Sequence, residues 1–157
     1  MKYLKLTNTT IFAQVDDEDF DRCLFHKWNY RKGVIRCMTN INKIISINLS
    51  NFIMGDYTKT YDHKDRNFLN NTRLNLRECT RNQNMQNRGK LHGDSKYKGV
   101  SKRGENKYQV RISYNGRTLH LGIFETELKA AQQYDFYAKK YHKEFAVINF
   151  PEMEIIQ

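Results

Sequence analysis

Lys107-Tyr108-Gln109-Val110-Arg111-Ile112-Ser113-Tyr114-Asn115-Gly116-Arg117-Thr118-Leu119-His120-Leu121-Gly122-Ile123-Phe124 decides the architecture of the second half of the chain. Tyr108, Val110, Ile112 and Tyr114 alternate with Lys107, Gln109, Arg111 and Ser113, so a strand here carries one apolar and one polar face. Asn115-Gly116 is the strongest two-residue hairpin signal, because both residues tolerate positive φ. Leu119, Leu121 and Ile123 then alternate with Thr118, His120 and Gly122, which predicts a returning strand. Residues 97–102 make a third short strand. Thr126 can cap a helix running to about His142, with Glu127 near its positive end. Leu128, Ala131, Tyr134, Ala138 and Tyr141 fall three or four apart and form its apolar stripe. Tyr108, Tyr114, Tyr134, Phe136, Tyr137 and Tyr141 are expected mainly in the core. Residues 97–152 thus read as a three-stranded antiparallel sheet packed on one α-helix.

Working back from there, residues 89–96 are basic, contain glycine and nearly lack aromatics, as a linker does. Residues 1–54 read as a β-rich segment. Trp28-Asn29-Tyr30 and residues 34–37 flank Lys32-Gly33, a second hairpin turn, and residues 44–49 alternate in part like a half-buried strand. Asp16-Asp17-Glu18-Asp19 interrupts the apolar stretch 11–15 and reads as a solvated surface turn. The whole is α+β.

The chain has 157 residues, with 27 Lys and Arg against 17 Asp and Glu, for a net charge of +10. That balance points to a polyanion, nucleic acid first, since neutralised phosphates release counterions. No apolar run approaches the roughly 20 residues of a spanning helix, so no membrane partner is expected. Cys23, Cys37 and Cys79 are widely spaced, which argues against a disulfide framework or a zinc site. Buried or half-buried thiols in a reducing cell interior are expected.

The chemistry concentrates in residues 55–88. Asp62-His63-Lys64-Asp65-Arg66-Asn67 is followed by Asn70-Asn71, Asn75-Leu76-Arg77 and Thr80-Arg81-Asn82-Gln83-Asn84. Hydrolysing a phosphodiester takes a nucleophilic water, a base, and a positive centre for the developing charge. His63 is a base that is neutral near physiological pH, and Asp62 is a hard oxygen ligand for magnesium or a similar cation. Thr80 and Gln83 have capping-box spacing, so a helix is expected to start there and to carry Asn84.

These residues resemble the H-N-H endonucleases, especially those of phages and mobile introns. The resemblance implies a ββα-metal unit over residues 55–88. In it Asp62 and Asn84 ligate one divalent cation, His63 is the general base, and Asn75 hydrogen-bonds within the loop to hold the His63 strand in register. Arg66 stands where relatives commonly have Gly, and Ser50-Asn51 stands where they often have His-Arg.

The second half resembles the plant ethylene-response-factor (APETALA-type) DNA-binding domain. The match runs through Tyr97-Lys98-Gly99-Val100, Leu121-Gly122-Ile123-Phe124, Ala130-Ala131, Tyr134-Asp135 and Asn149-Phe150-Pro151. By that resemblance Lys98, Ser101, Arg103, Arg111, Ser113, Thr118 and His120 face double-stranded DNA, with Lys102 and Lys107 beside them. Arg103 and Arg111 are the candidates for bidentate contacts to guanine.

The expectation is a divalent-metal-dependent DNA endonuclease of homing type. It would work as a monomer or weak dimer inside the host cell and nick one strand per site. The alternative is a DNA-binding transcriptional regulator with a vestigial nuclease unit. Charge alone also permits an RNA-binding accessory protein.

Overall fold

A computed structural model describes residues 1–40, 44–90 and 93–151. The chain divides into two compact units, Met1–Thr80 and Arg81–Gln157, each built as a small α+β fold.

In the first unit, β1 (Lys2–Lys5) and β2 (Phe12–Val15) pair antiparallel, and α1 (Asp17–Leu24) follows. β3 (Asn29–Arg31), β4 (Val34–Asn40) and β5 (Ile44–Asn48) form a three-stranded antiparallel sheet. The turn between β3 and β4 has φ 49° at Lys32 and 79° at Gly33, the double positive that a two-residue hairpin requires. After α2 (Leu49–Met54), β6 (Thr60–His63) pairs antiparallel with β7 (Leu76–Cys79). The core gathers Leu4, Leu6, Ala13, Val15, Trp28, Ile35, Leu49 and Ile53, and Leu76 of β7 joins it. All three cysteines are free and buried.

The acidic cluster departs from the sequence reading. It opens α1, with Asp16 at the N-cap and three acids in the first turn, where the helix dipole favours negative charge. Asp19 is 1% exposed and takes hydrogen bonds from Arg22 and, across 54 residues, from Arg73. A carboxylate is held inside only when its charge is met, and the residue that meets it is remote in sequence.

The second unit begins with α3 (Arg81–Gln86), the helix expected after Thr80. β8 (Val100–Lys102), β9 (Tyr108–Tyr114) and β10 (Arg117–Phe124) form an antiparallel sheet in the order β10-β9-β8. Asn115 and Gly116 take φ 49° and 73° at the hairpin. α4 (Glu127–His142) starts at Thr126, whose Oγ1 accepts the Lys129 N–H at 3.2 Å. Its Ala130, Ala131, Tyr134 and Ala138 bury against Val100, Val110 and Ile112.

Two details of this unit depart from simple periodicity. A bulge between His120 and Gly122 shifts the register, pairing Gly122 with Val110 and Phe124 with Tyr108. Phe124 therefore packs against the core, and Ile123 turns outward at 56% exposure. On α4 the stripe is rotated: Leu128 and Phe136 are exposed, while Asp135 and His142 are buried. Asp135 accepts from the backbone N–H of both Asn149 and Phe150, and the Asn149 side chain accepts the Lys98 N–H through Oδ1 and donates Nδ2 to the Lys98 carbonyl. The Tyr-Asp and Asn-Phe motifs thus clamp the C-terminal segment to the start of the sheet. Gly99 (φ 77°) completes that clamp, since a Cβ there would lie 1.9 Å from the Tyr134 ring.

Candidate active site

β6 ends at His63 and β7 begins at Leu76, its partner across the hairpin, so residues 64–75 form a loop with adjacent ends. Asn75 closes that loop. Its carbonyl accepts the Lys64 N–H (2.9 Å), its Oδ1 accepts the Asp65 N–H (3.0 Å), and its Nδ2 donates to Asp65 Oδ1 (2.9 Å) and the Asn70 carbonyl (2.7 Å). Asp65 gathers the turn from within, accepting also from the Asn67 N–H and Asn70 Nδ2. Partial burial works to raise its pKa, but those hydrogen bonds and nearby His63 outweigh it and hold the carboxyl below its ordinary value. Arg66 follows with φ 64°, its N–H bonded to the His63 carbonyl. The departure from glycine therefore falls where the backbone takes a left-handed conformation.

The loop is docked on the N-terminal elements. Gln14 of β2 donates its N–H to the Leu69 carbonyl (2.7 Å) and accepts the Asn71 N–H (2.8 Å), a short parallel bridge. Arg73 bonds Asp16 through its backbone N–H and Asp19 through its guanidinium. The N-terminal β-rich segment thus braces this loop through Gln14, Asp16 and Asp19. Asn51 braces the approach to β6, donating Nδ2 to the carbonyls of Asp56 and Lys59, both at 2.8 Å. That is what stands in the place of the absent His-Arg pair.

His63 is half-buried, with Nε2 3.1 Å from Asn71 Oδ1 and the Phe68 ring edge-on at 5.8 Å. Burial withholds water from the imidazolium and lowers its pKa, and the pull of Asn71, Asp65 and Asp62 only partly offsets this. The ring is therefore neutral, in its basic form, at neutral pH. Asp62 beside it is buried, and its Oδ2 accepts from Arg77 Nε (3.1 Å) and Nη2 (2.9 Å). Asn84 lies on α3, in the second unit. Among the described residues no three His, Cys, Asp or Glu gather as a metal cluster. Magnesium keeps several waters and takes only one or two carboxylates, so the oxygen of Asp62 fits such an ion in kind. Arg77, already on Oδ2, is the group a cation would have to share it with.

The chain has an H-N-H relative. It is 42% identical over 88 residues to a protein of Acanthamoeba polyphaga mimivirus named an uncharacterized HNH endonuclease, covering 56% of this chain and 46% of that one. The chain thus spans less than half the length of the curated relative it matches. No family model matches, and no solved structure does.

On the second unit, Lys102, Arg103, Lys107, Arg111, Ser113, Thr118 and His120 are exposed and Ser101 is half-buried. Lys98 differs from them: its Nζ donates to the carbonyls of Gln86 and Arg88, so its charge is committed within the unit. Gln109, which the alternation of the strand puts on the same polar face as Arg111, is buried in β9. Its Oε1 accepts from Arg103 Nε (2.8 Å) and Arg111 Nη2 (2.6 Å), fixing both guanidinium groups on one acceptor. Its place on that polar face was the one signal in the sequence. Asn71, Arg73 and Asp19 carried none, because each acts on a partner outside its own segment.

Proposed function

We propose that this chain is a divalent-metal-dependent DNA endonuclease of the H-N-H type, with His63 as general base. The observation that carries this reading is the half-buried His63 imidazole beside a buried aspartate, at the mouth of a loop closed by Asn75. The viral relative named an HNH endonuclease supports it.

In the proposed reaction a water oxygen bonds to phosphorus as its proton passes to the His63 ring. The phosphorus–oxygen ester bond opposite then breaks, and the leaving oxygen is protonated from solvent. A bound divalent cation would supply positive charge for the phosphate and its leaving oxygen. Asp62 would give that cation a carboxylate oxygen, and the sequence pattern assigns Asn84 the second protein ligand. Asn75 keeps the base in place by closing the loop, and Arg77 holds the Asp62 carboxylate in position through its guanidinium.

The second unit is proposed to hold the duplex on its exposed β-sheet face, as the resemblance to the ethylene-response-factor domain implies. Arg103 and Arg111 would meet base edges, and Lys102 and Lys107 would meet phosphates. One such centre serves one phosphate at a time, so the expected product is a nick, made inside the cell of the host.

Supercoiled plasmid incubated with magnesium tests the reading. Open circles should accumulate with the wild-type chain and not with His63→Ala. Asp62→Ala and Asn84→Ala should stop cutting while keeping DNA binding. The Arg77–Asp62 pair keeps a second reading in view, a DNA-binding regulator with a vestigial nuclease unit. That reading wins if the chain retards duplex DNA but leaves it intact in magnesium and in manganese.

A further inference from the structure

We infer that Asn71 is the positioning residue for the base: it fixes the His63 proton on Nε2 and makes Nδ1 the nitrogen that accepts a proton from water. The chemical consequence rests on the nuclease reading; the tautomer does not.

The direction of the bond follows from the amide. Asn71 Nδ2 donates to the Phe68 carbonyl at 2.9 Å, and a carbonyl can only accept. The amide is therefore oriented with Oδ1 toward the imidazole, 3.1 Å from Nε2. An amide oxygen has no proton to give, so Nε2 must carry the hydrogen. In a neutral ring the lone pair then belongs to Nδ1.

The acceptor is itself held rigidly. Asn71 is 1% exposed, and its backbone N–H is bonded to the Gln14 carbonyl of β2. The Phe68 ring stands edge-on to His63, at 79° between planes, which restricts rotation of the imidazole about its bond to the chain. The orientation of the base is thereby tied to the first strand pair of the unit. A base contributes fully only when its lone pair points at the proton it removes, and a ring free to exchange tautomers loses part of that.

The test uses the full-length chain labelled with 15N. Long-range proton–nitrogen correlation reads which ring nitrogen of each histidine is protonated, and His63→Gln identifies the His63 signals. In the wild-type chain at neutral pH, His63 should be protonated on Nε2. Asn71→Ala should give a mixture of tautomers and lower kcat by roughly tenfold to a hundredfold, on the scale of a lost orienting partner, with KM unchanged. The signals of the other four histidines report that this variant remains folded.

Asn71→Asp is the second variant. It keeps an acceptor at the same position, so it should retain the Nε2 proton and keep more of kcat than Asn71→Ala does. A wild-type His63 protonated on Nδ1 overturns the inference, as does an Asn71→Ala protein with an unchanged tautomer. If the wild-type chain cuts no DNA, the nuclease reading falls, while the NMR arms still decide the part played by Asn71.

Discussion

Arg66 holds a φ of 64° in the turn directly after His63, and its side chain is exposed. An L side chain in this region costs about 1–2 kcal/mol, because Cβ crowds the following carbonyl oxygen. Glycine avoids that contact but gives up about 0.5–1 kcal/mol more chain entropy on folding. The difference favours Arg66→Gly by about 0.5–1 kcal/mol. No cavity offsets it, since the side chain that is removed points into solvent. For a unit the size of Met1–Thr80, about 1 kcal/mol corresponds to about 4–8 °C in Tm, so a rise of about 3–5 °C is expected. Arg66→Ala is the control. It removes the same charge and length but keeps Cβ, and should leave Tm within the range of an ordinary surface change. Thermal unfolding followed by circular dichroism, at matched ionic strength, measures all three chains. The strain argument is refuted if the glycine chain melts at or below the wild-type temperature, or if alanine stabilises as much as glycine does.

Three further outcomes follow from the same geometry. Arg73→Ala leaves the buried Asp19 carboxylate with Arg22 alone; breaking a fully buried pair costs about 3–5 kcal/mol, and since Arg73 is 41% exposed and Arg22 remains, about 2 kcal/mol lost in urea unfolding is expected. Because burial holds the His63 pKa below 6.5, cleavage should be fully developed at neutral pH and fall only below 6.5. The sign for stability is the same: the unfolded chain takes the proton first, so stability falls as pH drops from 6.5 through the folded pKa and then levels, and His63→Gln should remove that step from a titration of Tm. Gln109→Ala should free the guanidinium groups of Arg103 and Arg111 and lower preference for a selected site over random duplex by roughly tenfold, within the range of one bidentate base contact. The salt slope of binding, set by phosphate contacts, should stay unchanged, and a parallel loss of slope and preference would show that Gln109 acts on the fold.

What the sequence determined by itself was local. Asn115-Gly116 and Gly33 place two hairpin turns because asparagine and glycine accept positive φ through their own sterics, and Thr126 caps α4 with its own hydroxyl. The helix start after Thr80 was legible in the same way, from spacing within one segment, whereas the strands on either side of residues 64–75 were expected only from the H-N-H resemblance. The bulge at His120 and Gly122 was not, because periodicity cannot register an extra residue that only the partner strand reveals.

Tertiary structure alone decided the partners. Asp19 is an interior carboxylate because Arg73 reaches it from far along the chain, and Asn71 faces His63 because β2 holds the loop that carries it. Gln109 joins two arginines only once β9 is folded beside the turn that carries Arg103. A side chain's composition and neighbours set which bonds it can make, but burial and approach from distant segments set which it does make, and those depend on the whole fold.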